Sequence, residues 1–346
     1  MIQDLSGHDI TKVPLDDKPT MGIFLSPEPL GVTKEQILNE TGTLGIPEFG
    51  TPFTVGLVAE TKPTTFAELI KISGLSHGTD VWLGNAQELI RNNVVPFKEV
   101  IGCRDDIMVY LMYKGMKPIK AFKIMEFVRK GKASKEPDKW VEFEAEMKEA
   151  GIEDWYIDSC RKIKYMFPKA HATAYVMSAF RIAYYKVHYP HLFYASWFST
   201  KATDFDIETM IQGYDAIKNR MNEIISKGYD ASNKESGILE TLRLALEMTA
   251  RGLKFGNVDI EKSAATTFKI EPDNMTLIPP FSTIDGLGDT VAKTIVEERE
   301  KGMFLSIDDL QKRGKVSSTL IEKMKSMHIL DNMDESSQLS LFQFLD

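Results

Sequence analysis

Arg161–Tyr175 reads RKIKYMFPKAHATAY and gathers the side chains in this chain best suited to hold an anion. Arg161, Lys162, Lys164 and Lys169 stand with His171 in a span that has no acidic residue. Pro168 divides the span. Helices usually end at or before the residue preceding a proline, so the spacing predicts one helix leading in from Trp155 and another running from Ala170 toward Pro190. Lys169 and His171 then sit at the start of a long helix, where unpaired amides and the helix dipole attract anions. His171 and Tyr175 are four apart and share a face. Such a convergence suits a phosphate group, up to a triphosphate. On these residues alone, a solvated basic face of an ordinary helix is the slightly stronger reading.

Three further stretches carry chemistry. Gly74, Gly78 and Gly84 bracket Ser76, His77, Thr79, Asp80 and Asn85, a polar loop that can line a cleft or simply cap the short helices after it. It is no phosphate-binding loop of the Gly-x-x-x-x-Gly-Lys-Ser/Thr kind. Residues 98 to 132 hold a second run of cations, Arg104, Lys114, Lys117, Lys120, Lys123, Arg129, Lys130 and Lys132. The last three read as helix C-terminal charges or as a nucleic-acid contact. Ile284-Asp285-Gly286-Leu287-Gly288, followed by Asp289-Thr290-Val291, is the pattern of a helix-hairpin-helix turn. Its close glycines let the backbone approach a phosphate, and the amides of the next helix point at it. Arg313-Gly314-Lys315 repeats the theme before a helix capped by Ser317 or Ser318. A tight helical turn without a ligand is the alternative.

The elements that must position these groups are mostly helical. Residues 1 to 66 are turn-rich, with a strand expected at Gly22–Leu25 and a helix from Thr33 to Glu40. Asp16 and Asp17 face different ways and read as a turn or cap rather than a metal pair. Helices are expected at 63 to 73, 103 to 115, 121 to 130, 139 to 150, 206 to 230 and 234 to 251. Asp105 and Asp106 fall in a first turn, opposing the dipole. Short strands at Ala265–Ile270 and Met275–Ile278 would flank an Asp273-Asn274 hairpin turn. The chain ends QLSLFQFLD, a polar anchor with aliphatic and aromatic residues suited to a hydrophobic pocket on a partner, or to folding back on its own domain.

Composition bounds the class. The chain has 346 residues, 43% of them hydrophobic and 27% charged, with net charge −8. That describes a soluble protein of about two or three domains and excludes a histone-like basic binder. Two cysteines, Cys103 and Cys160, exclude a disulfide framework and a cysteine-rich zinc site, and fit a reducing cytoplasm. No apolar run approaches the ~20 residues of a membrane span. The polar start MIQDLSGHDI opens without a cap or a signal peptide and reads as the tail of something longer.

Long runs then carry a resemblance. GIPEFGT (45 to 51), ISGLSHGTDVWLGNAQELI (72 to 90), CRDDIMVYL (103 to 111), KIMEFVRKGK (123 to 132), WYIDSCRKIKYMFPKAHATAY (155 to 175), LIPPF (277 to 281) and QLSLF (338 to 342) are involved. With them the chain resembles the C-terminal part of PolC-type DNA polymerase III alpha subunits of Gram-positive bacteria. The resemblance implies a mainly α fold. Residues 1 to 205 would be a fingers domain binding the incoming deoxynucleotide, through Ser76, His77, Arg129, Lys130, Lys132, Arg161, Lys162, Lys164, Lys169 and His171. Residues 206 to 330 would be a duplex DNA-binding domain with a small β element, touching DNA through Gly286, Leu287, Gly288, Thr290, Arg313, Gly314 and Lys315. Residues 331 to 346 would be a tail docking the sliding clamp through Gln338, Leu341 and Phe342. The resemblance also implies template-primer DNA, deoxynucleoside triphosphates and other replisome subunits as partners, and Mg²⁺ in the intact enzyme. The metal-binding aspartates of that family lie in a palm domain upstream, so no catalytic or metal residue is expected here, and the chain alone is expected to be inactive. The rival reading is a non-catalytic, clamp-tethered helix-hairpin-helix protein, which leaves residues 1 to 205 without a purpose.

Overall fold

The computed structural model describes residues 1–336. They are mainly helical, with one three-stranded sheet. Among them no helix is long and apolar enough to cross a membrane. The chain divides into two compact units. One comprises Thr11–Pro29 and Asn39–Tyr184; the other comprises Met1–Ile10, Leu30–Leu38 and the chain from Tyr185 onward.

In the first unit, local chemistry sets most helix starts. Asp17 accepts the Thr20 amide at 2.9 Å and caps the helix Lys18–Gly22, so the expected strand at Gly22–Leu25 is instead a helix end and turn. A Cβ on Gly22 would lie 2.8 Å from Pro29 Cγ, so the helix end packs closely on that proline. Thr65 and Glu68 form a capping box for Phe66–His77, one residue after the expected head. The helices Arg104–Tyr113 and Pro118–Arg129 pack as an antiparallel hairpin, followed by Pro137–Glu149 and Asp154–Lys162. The helix Lys169–His188 begins immediately after Pro168. Its Phe180 meets Phe24 and Phe66 at centroid distances of 6.3 and 5.9 Å in the core.

In the second unit, Thr33 caps Lys34–Ile37 through a capping box with Gln36. The helix expected over 206 to 230 breaks into Ile207–Met210 and Tyr214–Lys227 because Gly213 turns to φ 90°. Ser232 caps Asn233–Ala250. β1 (Lys254–Phe255) runs parallel to β3 (Thr276–Ile278), and β2 (Lys269–Ile270) runs antiparallel to β3. Asp273 accepts the amides of Met275 and Thr276, both at 2.9 Å, and fixes the expected turn. The sheet packs on the helix Pro190–Thr200, where Phe198 meets Phe255 and Phe268.

One polar group in this core is costly. Lys186, Glu247 and Tyr194 are fully buried. Lys186 Nζ lies 2.7 Å from Glu247 Oε1, to which the Tyr194 hydroxyl donates at 2.6 Å. Burial pushes the Lys186 ammonium below its ordinary range against the pull of Glu247. Removing one partner strands a buried charge. Lys186→Met is therefore expected to destabilise the chain in urea unfolding by about 3–5 kcal/mol. The Lys186→Met/Glu247→Met pair should recover much of that loss; equal losses in single and double variants would contradict it.

Candidate functional site

The anion-suited residues are organised by a six-residue strap, 163 to 168, between two helices of the first unit. The strap has no partner strand, so its backbone borrows partners from three other segments. The Thr79 amide donates to the Tyr165 carbonyl at 2.9 Å, and the Lys164 amide donates to the Thr79 carbonyl at 3.0 Å. The Met166 amide donates to the Arg129 carbonyl at 3.3 Å, and the Arg104 amide to the Phe167 carbonyl at 3.2 Å. At Gly131, φ is 64°, and a Cβ there would lie 2.4 Å from the Lys164 carbonyl oxygen. The helix Pro118–Arg129 can therefore end against the strap only through a glycine.

This pinning brings together residues far apart in sequence. His77 packs on Phe167 at a centroid distance of 5.0 Å, and Phe167 meets His171 and Tyr175, each at 6.0 Å. His77 Nε2 also contacts the Glu48 carboxylate. Lys164 pairs with Asp80 at 2.6 Å. Ser76 turns away: its hydroxyl donates to the Ser73 carbonyl at 3.1 Å. Asn85 does not cap a helix as expected; its side-chain amide donates to the carbonyls of Asp80 and Ser159.

The start of the helix Lys169–His188 already holds a negative group. Asp105 accepts the Lys169 amide at 2.8 Å, and Asp106 lies 3.3 Å from Lys169 Nζ. Asp106 also accepts the amides of Gly102 and Cys103, at 3.0 and 3.1 Å. The two aspartates were expected only to oppose the dipole of their own helix; they serve a second helix as well.

The remaining cations are each met by a carboxylate. Arg129 and Lys130 share Glu126, whose carboxyl Arg129 chiefly holds down at about 2. Lys132 pairs with Glu136 at 2.7 Å. Arg161 reaches Glu144 and Asp158. Lys162 lies 3.6 Å from the Glu88 carboxylate and donates to the Gly84 carbonyl at 2.8 Å. So His77, His171 and the Arg129 carbonyl meet the strap, Lys164 lies within it and Lys169 directly follows it, whereas Lys132, Arg161 and Lys162 make their contacts elsewhere. Arg104 was not among the expected site residues. Its amide holds the strap, its Nε is buried without a hydrogen-bond partner, and a guanidinium nitrogen lies 3.9 Å from Glu126. Its place in the second basic run was the only available signal.

The second unit carries the glycine turns. A short 3₁₀ segment, Phe281–Thr283, leads into Gly286 at φ 87° and then into the helix Asp289–Lys301, with Gly288 at its N-cap. No side chain caps that helix, and no atom lies within 4 Å of where a Gly288 Cβ would be. Leu287 is buried beneath the turn, and Thr290 is exposed above it. The second turn joins Ile307–Arg313 to Ser318–Ser326, capped by Ser317. A Gly314 Cβ would lie 2.7 Å from the Leu310 carbonyl oxygen, and Lys315 is exposed at φ 54°. Arg313, expected as a DNA contact, is spent internally. Its guanidinium donates to the carbonyls of Met303 and Gly302 and to Asp309, and stacks over Phe304 at 4.8 Å. Gln338, Leu341 and Phe342 lie outside the described residues.

Among the described residues, no three His, Cys, Asp or Glu side chains are grouped to hold a metal ion. Both thiols are buried; burial first, and then Asp106, push Cys103 up to about 12.

Comparison with known families sets the class. Residues 1–151 match the bacterial DNA polymerase III alpha subunit finger domain, and residues 252–339 match a helix-hairpin-helix motif. The chain is 59% identical over 342 residues to DNA polymerase III PolC-type of Bacillus subtilis and 58% identical over 346 residues to that of Streptococcus sanguinis. The Staphylococcus haemolyticus counterpart is 55% identical. Each comparison covers 99% of this chain and 23% of the relative. The chain is similar along 99% of its length to PolC-type DNA polymerase III proteins, and it spans about a quarter of the length of the relatives it matches.

The close approach at Gly131 makes a direct prediction. Gly131→Ala combines left-handed strain with a clash against the strap backbone, together roughly 2–4 kcal/mol. A loss of that size in urea unfolding is expected; stability equal to the parent chain would show that the strap is not pinned there.

Proposed function

We propose that this chain handles the incoming nucleotide and the template-primer duplex for a replicative, PolC-type DNA polymerase. The observation that carries the reading is the convergence of Lys164, Lys169, His77 and His171 on a backbone-pinned strap at a long helix start. Template-directed polymerisation joins the primer 3′ hydroxyl to the α-phosphate and releases pyrophosphate. Charge builds on the leaving oxygens, and preset cations and amides stabilise it. Such ions as Mg²⁺ would supply Lewis-acid chemistry in the intact enzyme. The part assigned to this chain is positioning, and on its own it is expected not to extend primers.

Each cation is presented with its counter-charge already in place. Exposed ion pairs contribute only about 0–1 kcal/mol. Exchanging Asp80 at Lys164, or Asp105 and Asp106 at Lys169, for triphosphate oxygens therefore costs little. The carboxylates hold the cations in register and then yield. Ser76, Arg129, Lys130, Lys132, Arg161 and Lys162 are assigned to the same nucleotide surface as a surrounding field. Changing Lys164 and Lys169 to Gln in the intact polymerase is expected to raise the nucleotide KM about tenfold or more, because charge-assisted hydrogen bonds are lost. A smaller rise is expected for Lys162→Gln. An unchanged nucleotide dependence would reject the assignment.

The glycine turns are assigned to the duplex backbone, with Gly286, Leu287, Gly288, Thr290, Gly314 and Lys315 at or beneath the contact. Arg313 holds the second turn in shape. Gly288 supports this, since open space rather than internal packing surrounds its missing Cβ. Gly288→Ala should leave stability within about 0.5 kcal/mol while weakening duplex binding severalfold. Unaltered duplex affinity would remove this turn from the interface. Binding there should be sequence-blind and fall steeply with salt. The tail residues Gln338, Leu341 and Phe342 are assigned to a sliding clamp. Tethering of that kind raises processivity through effective concentration even when the peptide contact is weak. The working compartment is the cytoplasm.

A further inference from the structure

The hairpin of Arg104–Tyr113 and Pro118–Arg129 carries an exposed surface that neither the strap nor the glycine turns use. The inner faces bury Ile107 and Leu111 on one helix and Ala121, Ile124 and Val128 on the other. At the loop end the outer faces are also apolar. Tyr113 is 86% exposed, Ile119 65% and Val109 61%, and Phe122 is exposed as well. Val109 and Tyr113 are four apart on one helix, and Ile119 and Phe122 are three apart on the other, so each pair forms a ridge. Apolar groups this exposed and this close mark a contact surface.

The charges around the patch say what covers it. Lys117, Lys120 and Lys123 repeat every three residues beside Ile119 and Phe122. Lys120 pairs with Glu146 at 2.5 Å, and Lys114, on the connecting loop, pairs with Glu153 at 2.6 Å. Lys117 and Lys123 are exposed and make no ion pair with a described residue. The patch is therefore net cationic, with aromatic rings interleaved between the lysines. A single nucleic-acid strand has the complementary chemistry: a regular row of phosphates and unpaired bases, each with a face that stacks on Tyr or Phe. A duplex hides those faces in its own stack.

We propose that the loop end of this hairpin binds single-stranded DNA, with Tyr113 and Phe122 as stacking platforms and Lys117 and Lys123 tracking the phosphates. The surface lies outside the nucleotide and duplex assignments and does not depend on either.

The test uses the 346-residue chain and a fluorescein-labelled oligo-dT of about 16 nucleotides, read by fluorescence anisotropy. The Tyr113→Ala/Phe122→Ala variant is expected to bind it about tenfold or more weakly while binding a blunt duplex as the parent does. Lys117→Gln/Lys123→Gln should flatten the salt dependence of oligo-dT binding by a log–log slope of roughly 1. Unchanged oligo-dT affinity in both variants would overturn the proposal, as would an equal loss of duplex binding. To guard against a folding defect, the unaltered chain is photo-cross-linked to a 5-iodouracil oligonucleotide. Adducts at Tyr113 or Phe122 support the site, and adducts confined to the glycine turns overturn it.

Discussion

The geometry of the first unit depends on a backbone constraint at residues 163 to 168. A strap lying between helices must find partners for its amides and carbonyls, because an unpaired buried peptide group costs as much as a lost hydrogen bond. This one finds them on Thr79, Arg129 and Arg104, and its close approach to the helix end after Arg129 requires a glycine at 131. Because main-chain atoms do the holding, the Phe167 ring is left to gather His77, His171 and Tyr175 around it, and Lys164 to pair with Asp80. The helix after Pro168 then starts at a fixed place, with Asp105 already on its first amide.

Two kinds of ion pair serve two purposes in this chain. Around the strap the pairs are exposed on at least one side, and solvent screening leaves each worth little. Such pairs hold a cation in position and release it to a stronger anion. Lys186 and Glu247 are the opposite: both are fully buried, saturated by Tyr194, and part only at high cost. Position, rather than residue type, decides which cations can change partners.

Much of this was legible from sequence because the signals are local. Thr33 capped its helix, Pro168 set a boundary, Asp273-Asn274 turned a hairpin, and Gly286 took the left-handed conformation. Each is decided by side chains within four residues. What stayed hidden was decided at long range. β1 is two residues long and has no period to read; only its pairing with Thr276 and Leu277 makes it a strand. Asp105 and Asp106 were read as partners of their own helix, but folding delivers them to Lys169, more than sixty positions away. Arg313 looked like a free cation beside a glycine turn, yet it folds back on Met303, Gly302 and Phe304. The expected strand at Gly22–Leu25 gave way to the end of a helix that Asp17 caps. The site's residue types were thus visible, and their division into a strap cluster and outlying cations was not.

The central claim is that the strap and the helix start after Pro168 receive the triphosphate. Hydrogen–deuterium exchange on the intact polymerase, with template-primer bound and the correct deoxynucleotide added, tests it most directly. Slowed exchange should appear at the amides of Lys169 to His171, and an incorrect nucleotide should produce less of it. Protection elsewhere in the polymerase, with these amides unchanged, would contradict the claim.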